Sequence, residues 1–431
     1  MTARPRPIQR AADFDVSELF FSATDEAGRI VACNDVFTRV AGYEPSDVLG
    51  APHSIVRHPD MPRCVFQLFW ARLLAGQPIG AFVKNLARDG SYYWVFAVAF
   101  PVDGGFLSIR LKPTSPLLSK IAALYAELVA LESEHGRDLP SAMEASGRRL
   151  DRALGELGFD DYVDFMTAAL STEIAARRAH LGSDAERSAL ARGTTDKVVR
   201  VFRDLAELSE LRRAAREDAS ALQSVSKVLN RLALNASVNA SRLAGDGRAL
   251  GVLSEEAAVV SHDIAIEATN LEGQERRLSE VLRETSFSVS FALLVSEMND
   301  FFEAEVRSTG LSEAEQVASF GRTFAQLRSL LGAAFGYAVE ASVDGSQGLR
   351  GALREFDKIA DRFSKILLTT HISHVTGRSI AASIEAGDQF ARLLDEMLEV
   401  AESAREDLDA LLARTTKVDR SVGCWQLAAL V

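Results

Sequence analysis

The sequence predicts an α+β N-terminal module, with a five-stranded antiparallel sheet and short helices, followed by an all-α antiparallel coiled-coil or helical-bundle region. Two observations predict this division. All 11 prolines lie at or before Pro140, and proline is excluded from helix interiors because it lacks an N–H group and clashes with the preceding turn. Aromatic residues are dense before Pro116, where short apolar runs alternate with turn signals. We therefore expect a sheet domain over 16–116 and helices beyond it.

The expected order within 16–116 is two strands, several short helices and three strands. Turn signals of the Asp-Gly type separate the strand-like runs: Asp25–Gly28, Arg88–Gly90 and Asp103–Gly105. The runs themselves are Leu19–Thr24, Arg29–Cys33, Phe82–Leu86, Tyr92–Phe100 and Phe106–Lys112. Between the second and third run lie the helix-like segments Asp35–Ala41, Pro45–Leu49 and Cys64–Ala75. This order is typical of one antiparallel sheet with helices packed on one face.

Composition excludes several classes of protein. The net charge of −12 argues against nucleic acid or an anionic membrane surface as the main partner. The three cysteines form no CxxC pair, which excludes a disulfide scaffold or a zinc finger. No run approaches the ~18–20 apolar residues that cross a bilayer. We expect a protein of the cytoplasm.

The N-terminal motifs resemble a known family. Asn34-Asp35-Val36-Phe37, Val56-Arg57-His58-Pro59-Asp60-Met61-Pro62 and Val83-Lys84-Asn85 followed by Asp89–Val95 together resemble the PAS domain of bacterial aerotaxis receptors, from about Phe20 to about Leu128. The resemblance implies a pocket that holds FAD non-covalently and reads redox state. Carried over by position, it names as pocket residues Asn34, Arg57, His58 and Asp60.

The chemistry of these side chains suits a flavin, which needs polar groups for its phosphates and ring edge and apolar walls for its ring. A structural interpretation also stands: Arg57 and Asp60 would form an ion pair that caps the helix near Pro62, and His58 would satisfy a loop carbonyl. One position departs from the family pattern. Ile79 stands where the family has Trp, and loss of that aromatic wall would weaken flavin binding or leave the pocket without ligand.

Heptad spacing runs through the second half of the chain. We expect a helical connector over 117–196, a hairpin over 197–310 with its tip near 242–250, and a C-terminal bundle over 311–431. The first arm of the hairpin has Leu222, Val225, Leu229, Leu232, Ala236, Asn239 and Leu243 at heptad steps. The second arm has Leu250, Leu253, Ala257, Val260, Ile264, Glu267, Leu271, Gln274 and Leu278. A purely structural antiparallel coiled coil remains an alternative.

The segment between the arms resembles the signalling tip of methyl-accepting chemotaxis proteins. That resemblance implies contact with a histidine kinase and its coupling protein. The family features kept are Asn235, Arg242, Gly247 and Arg248. Asn239 stands where the family has Glu, which puts kinase coupling in doubt. Chemoreceptor hairpins pair into four-helix bundles, so we expect a homodimer, although the helices after Leu311 would serve equally well to complete a bundle within one chain.

No nucleotide-binding or hydrolase motif of the GxGxxG, GxxxxGK[ST], HExxH or GxSxG type occurs. We therefore expect a non-enzymatic signalling protein of chemotaxis or energy-taxis type. Its PAS domain would bind FAD, sense redox state or oxygen, and control the helical hairpin. The alternative is a cofactor-free scaffold whose PAS domain dimerises and whose helices form an interaction platform.

Overall fold

The computed structural model describes residues 5–182, 195–205, 247–383 and 388–425, together with isolated helical positions between 227 and 238. These residues fall into two compact units that do not follow chain order. Of the described residues, unit 1 holds 5–182, 195–202 and 286–342, and unit 2 holds 203–205, 247–285, 343–383 and 388–425.

Unit 1 contains the sheet. Its strands are β1 (Leu19–Asp25), β2 (Ile30–Cys33), β3 (Ile79–Leu86), β4 (Tyr92–Val102) and β5 (Gly105–Leu111). They lie in the order β2-β1-β5-β4-β3, and every neighbouring pair is antiparallel. The predicted five-stranded antiparallel sheet is confirmed.

Strand β3 begins three residues before its predicted start. A glycine within a strand weakens a strand prediction, and Gly80 follows Ile79 directly. In the structure a Cβ at Gly80 would lie 3.0 Å from the ring of Phe96. The glycine thus lets an aromatic ring of β4 lie against the β3 backbone.

Short helices connect β2 to β3 and cover one face of the sheet. They are α1 (Asp35–Ala41), α2 (Pro45–Val48), the 3-10 turn His53–Val56 and α3 (Arg63–Leu74). Helix α1 ends at Gly42, whose φ of 69° is the left-handed conformation that glycine adopts without strain. Three helices follow β5: α4 (Leu117–Glu134), α5 (Leu139–Glu156) and α6 (Tyr162–His180).

The longest helices come from the proline-free region, as predicted. They are α7 (Gly247–Arg307), α9 (Phe324–Ala381) and α10 (Asp388–Gly423), with the short α8 (Glu313–Phe320) between the first two. Helices α7 and α9 each contribute to both units, because the unit boundaries fall at residues 285/286 and 342/343. Among the described helices, none has a stretch both long and apolar enough to cross a membrane.

The second face of the sheet is also covered, which the sequence did not predict. Phe100 of β4 lies against Phe291 of α7 with ring centroids 4.6 Å apart, and Phe21 of β1 lies 5.7 Å from Phe302. Phe82 of β3 approaches Phe165 of α6. Helices that lie far apart in sequence therefore sandwich the sheet within unit 1, and its central strands are buried on both sides.

In unit 2, α7 and α9 run antiparallel. Glu267 accepts a hydrogen bond of 2.8 Å from Arg362, and Gln274 donates one of 3.0 Å to the carbonyl of Ala352. The predicted heptad positions of the second arm that are buried here are Val260, Ile264, Glu267, Leu271 and Leu278. The first arm is described only at scattered positions between 227 and 238, so the hairpin with its tip stays a prediction.

Candidate functional site: a cavity over the sheet

One face of the sheet forms the floor of a cavity of about 230 Å³. Side chains alternate between the two faces of a strand, and alternate residues of four strands line this cavity. They are Ser22 and Thr24 of β1, Val83 and Asn85 of β3, Ala97 and Ala99 of β4, and Phe106, Ser108 and Arg110 of β5. The short helical segments provide the opposite wall.

The wall opposite the floor is aromatic. Helix α3 contributes Phe66, Phe69 and Trp70, and the ring of Trp70 lies edge-on to Phe106 with centroids 5.6 Å apart. Small alanines on the floor and rings on the wall leave an apolar space between them. Such a space suits a planar ring system.

Arg110 is the charged group at the inner end of the cavity. It is 4% exposed, and burial lowers its pKa to about 10. Its Nη2 donates to Nε2 of His53 at 2.7 Å, and its Nη1 lies 3.4 Å from the carbonyl of Ser108. No carboxylate contacts Arg110 among the described residues. A buried cation without an anionic partner is costly, so this end of the cavity favours a ligand with an acceptor or a negative charge.

His53 is a neutral acceptor at this point. Burial first, and the neighbouring Arg110 charge second, lower its pKa to about 3. Since Nε2 faces the Arg110 donor, the ring proton lies on Nδ1. Ser22 Oγ also lies 3.1 Å from Nε2. Ser108 adds a buried hydroxyl that has no hydrogen-bond partner in the described part of the chain, and buried hydroxyls without partners are rare in native proteins. Its position on the cavity floor makes it available to a ligand.

Of the four residues named from the sequence, Arg57 lines the cavity. Its guanidinium lies over the ring of Phe66, 4.1 Å from the centroid. Its backbone forms an isolated bridge to Asn85, which also lines the cavity. Arg57 thus fixes the edge of β3 to the loop before α3 and presents a second cation to the cavity.

The other three residues do not line the cavity. His58 is 2% exposed, and its Nδ1 accepts from the N–H of Asp60 at 3.1 Å. The side chain of Asp60 is 52% exposed and pairs with Lys84 Nζ at 2.7 Å. Both order the loop between the 3-10 turn and α3. In the alternative interpretation Asp60 would pair with Arg57; the structure pairs Asp60 with Lys84 and places the guanidinium of Arg57 over Phe66.

Asn34 lies between the sheet and α7. Its Oδ1 accepts from Phe21 N at 3.2 Å, and its Nδ2 donates to Leu19 O at 3.1 Å and to Glu305 Oε2 at 3.3 Å. Glu305 Oε1 also accepts from Asp35 N at 3.0 Å, at the first residue of α1. Burial raises the pKa of Glu305 to about 7, against the opposing effect of these hydrogen bonds. Asn34 therefore ties β1 and α1 to α7.

Ile79 is fully buried at the start of β3 and does not line the cavity. The family has Trp at this position, which implied an aromatic wall. Here the aromatic side chains of the cavity come from α3 and β5 instead. Asn235 is an exposed helical position. Asn239 and Arg242 lie outside the described residues, while Gly247 and Arg248 are the first two residues of α7.

Sequence reasoning missed His53, Ser108 and Arg110 as cavity residues. The strand Phe106–Leu111 carries a signal that could have found two of them. Ser108 and Arg110 alternate with the apolar Leu107, Ile109 and Leu111. A polar face on a strand that is otherwise buried indicates a cavity or a ligand, because an arginine is almost never fully buried without a partner.

Comparisons with known proteins agree with this fold. Residues 30–109 match the family model of the PAS fold. The chain is 36% identical over 135 residues to the aerotaxis receptor of Escherichia coli (strain K12), a match that covers 30% of this chain and 27% of that protein. It is 33% identical over 81 residues to the nitrogen fixation regulatory protein of Klebsiella pneumoniae, covering 19% of this chain and 16% of that protein. The chain thus spans about a quarter or less of the length of these relatives.

Solved structures that match part of the chain include the blue-light photoreceptor Aureochrome1 LOV in its light state. The identity is 18% and the TM-score 0.22, and the match covers 24% of this chain and 87% of that one. The photo-excited blue-light photoreceptor Vivid is 19% identical with a TM-score of 0.20, covering 26% of this chain and 88% of that one. The match to the family model shows that the chain carries a PAS domain over residues 30–109, and the sequence match shows its similarity to the aerotaxis receptor of Escherichia coli.

Proposed function

We propose that this chain is a non-enzymatic signal-transduction protein whose PAS domain binds FAD and relays the state of that ligand to α7. The main support for this proposal is that adjacent residues of one strand face opposite sides of the sheet, one towards the cavity and the next towards α7. Ala99 lines the cavity and the next residue, Phe100, contacts Phe291 of α7. Ser22 lines the cavity and the preceding residue, Phe21, contacts Phe302 of α7. A ligand that shifts the cavity floor must therefore shift the contacts of α7.

The residues of the cavity fit a flavin. The ring would pack between the floor alanines and the side chains of Phe69 and Trp70. Arg110, Ser108 and Asn85 would meet its polar edge, and Arg57 would meet its phosphates or ribityl hydroxyls. The unpartnered Ser108 hydroxyl and the uncompensated Arg110 charge both support an acceptor-rich ligand. A bound flavin supplies a redox centre, and the protein supplies the apolar walls and the cationic end.

The size of the cavity limits the part of the ligand that it encloses. A volume of about 230 Å³ lies below the ~300–1,000 Å³ of pockets that enclose whole drug-sized ligands. It suits a tricyclic ring, and the rest of a dinucleotide would lie outside this space. The proposal of FAD over a smaller flavin rests on the resemblance to aerotaxis receptors.

The partners proposed for the helical region are a chemotaxis histidine kinase and its coupling protein, with output of the energy-taxis type. Support comes from the sequence around Asn235–Arg248 and from the similarity to an aerotaxis receptor. The degenerate tip, with Asn239 in place of an acid, makes the coupling weak. Whichever partner is contacted, α7 has residues in both units, and its residues in unit 1 contact the PAS sheet.

The test is the ligand content of the purified chain. We expect a yellow protein that releases FAD on denaturation, identified by chromatography against FMN and riboflavin. Ala97→Leu adds side-chain volume to the cavity floor without entering a packed core, so it should abolish binding while far-ultraviolet circular dichroism stays unchanged. A colourless wild type that takes up no flavin from solution would instead favour the cofactor-free scaffold.

A further inference from the structure

The cavity over the sheet reaches solvent at one part of its lining. All of its lining residues on the strands are buried. Its exposed lining residues are Ala27, Pro52, Ser54 and Trp70. They belong to the β1–β2 turn, to the segment around the 3-10 turn and to α3. The mouth of the cavity therefore lies between these three segments.

Trp70 lies across this mouth and is the one large side chain among the four exposed lining residues. Its ring reaches from α3 to the β1–β2 turn, where a Cβ at Gly28 would lie 3.2 Å from Cη2 of the indole. The ring also lies edge-on to Phe106 of the floor, with centroids 5.6 Å apart. Trp70 is 36% exposed, so its side chain borders both the cavity and the solvent.

Gly28 suits this closed position of the indole. Its φ of 74° lies in the left-handed region that glycine adopts without strain. Because it has no side chain, the ring of Trp70 lies close against the turn, and any other residue at position 28 would force the ring to shift. The closed mouth thus depends on the contact between one aromatic ring and one turn.

Trp70 lies in the C-terminal half of α3, which borders open space. The first turn of this helix is held by Glu132, which accepts from the N–H of Cys64 at 3.0 Å. In the last turn Leu74 is 73% exposed, and a Cβ at Gly76 would meet nothing within 4 Å. Exposed side chains change rotamer rapidly. The indole therefore has room to swing outward while the buried floor stays in place.

We propose that Trp70 is a gate to the cavity. The indole closes the mouth in the structure, and its outward rotation admits and releases a ligand. The gate sets the rate of exchange, whereas the polar groups of the floor, Ser108 and Arg110, select what is held. This inference deepens the proposed function and rests on it where a flavin is the probe, but access to the floor is also measurable without a ligand.

A thiol on the floor measures the gate in the ligand-free full chain. In a Cys424→Ser background, Ala99→Cys places that thiol in the cavity, and peptide mass spectrometry after iodoacetamide treatment gives its labelling rate. Trp70→Ala should raise this rate at least ~10-fold, because the aromatic contacts that hold the mouth closed are lost. Cys64, which is 5% exposed in the first turn of α3, should label slowly and equally with and without Trp70.

Leu74→Ala is the matched control. It removes an exposed apolar side chain from the next turn of α3 that does not line the cavity, and it should keep the wild-type labelling rate. Equal labelling with and without Trp70 overturns the gate. So does a floor thiol that labels no faster than Cys64 in Trp70→Ala, because both thiols would then react only when the whole domain unfolds.

Flavin kinetics separate the gate from a stacking contact. An opened mouth speeds both association and dissociation of FAD, whereas a lost stacking contact speeds dissociation alone. We expect both rates to rise at least ~10-fold in Trp70→Ala, read by stopped-flow fluorescence of FAD. Faster dissociation with unchanged association overturns the gate. A wild type that takes up no FAD contradicts the proposed ligand, and the thiol labelling then decides the gate by itself.

Discussion

Three glutamates, two buried and one partly buried, attach the helical part of the chain to the PAS domain. Glu132 of α4 accepts from the N–H groups of Arg63 and Cys64 at the start of α3. Glu173 of α6 accepts from those of Thr114 and Ser115, just before α4. Glu305 of α7 does the same at the start of α1. Carboxylates at helix N-termini satisfy backbone donors and complement the helix dipole, so each contact fixes one helix to another.

Glu305 makes one of these contacts sensitive to pH. Its pKa is raised from 4.5 to about 7, chiefly by burial, with Asp35 adding repulsion and Arg39 attraction. Between pH 4.5 and about 7, the folded protein keeps the proton on Glu305 while the unfolded chain has released it. The free energy of unfolding therefore falls as pH rises through this range. We expect a loss of about 1–2 kcal/mol across this window in wild type and a flatter profile in Glu305→Gln.

Native-state hydrogen exchange of α1 and residues 286–307 measures this effect. The control is Glu303→Gln, which removes an ion pair with Arg328 on another face of the same helix and should keep the wild-type slope. Identical slopes in wild type and Glu305→Gln would show that this carboxyl does not govern the contact.

Replacing Arg110 should weaken flavin binding but leave the stability of the ligand-free protein equal or higher. Arg110→Gln keeps a hydrogen-bonding side chain but removes the charge. Flavin affinity should fall by roughly tenfold or more, since a hydrogen bond to a charged group is worth ~1.5–3 kcal/mol. The ligand-free protein should be equally or more stable, because an uncompensated buried cation is lost. Isothermal titration and urea unfolding of the ligand-free variant separate the two effects, and a loss of both together would make Arg110 purely structural.

Arg57 and Asp60 give a second residue-scale contrast. Arg57→Ala should remove flavin and leave helicity intact, because Arg57 lines the cavity. Asp60→Asn should retain most of the flavin, because its side chain is half exposed and pairs with Lys84 outside the cavity. The flavin absorbance of the purified variants, relative to wild type, measures how much flavin each retains. Equal flavin in Arg57→Ala and wild type would contradict the assignment of Arg57.

At the scale of elements, the contact between α8 and β2 depends on Gly321. This residue ends α8 with a φ of 81°, and a Cβ there would lie 2.2 Å from the carbonyl oxygen of Val31. Gly321→Ala should destabilise unit 1 by at least about 2 kcal/mol, because it adds backbone strain and a clash with main chain that cannot move aside. Thermal melting of the variant checks this expectation.

Gly332 is the matched control on α9. A Cβ there meets nothing within 4 Å, and glycine within a helix is less favourable than alanine by ~1 kcal/mol. Gly332→Ala should therefore raise the melting temperature. If both alanine substitutions behave alike, the packing of α8 on β2 is not as tight as the geometry indicates.

Much of the element order could be predicted because it depends on local signals. The Asp-Gly turns predicted the ends of the strands, and the proline-free stretch predicted the long helices. The cover on the second face could not be predicted, because Phe291 and Phe302 lie in a helix with no local sign that they contact Phe100 and Phe21, which are 191 and 281 residues earlier. The cavity was likewise only partly predicted: motif resemblance reached Arg57, while Arg110 and His53 meet only through strand pairing and a loop.

At the scale of the whole molecule, α7 has residues in both units, and its part in unit 1 contacts the PAS sheet through Phe291 and Phe302. Helix α9 also has residues in both units, and within unit 1 its Phe324 packs on Phe302 of α7. A change at the cavity floor should therefore alter α7 first.

Removal of the ligand should thus change amide exchange in residues 286–307 more than in α10. The reason is that Ala99 lines the cavity and the next residue, Phe100, packs on Phe291 of α7. No other side-chain layer lies between the strand and α7 at this contact, so a displacement of the strand would move α7. Hydrogen exchange with mass spectrometry on loaded and ligand-free protein measures this, and Ala97→Leu should give the ligand-free pattern whether or not flavin is added. Protection that changes only around α3 and the cavity wall would mean that the ligand stabilises the PAS domain without signalling through α7.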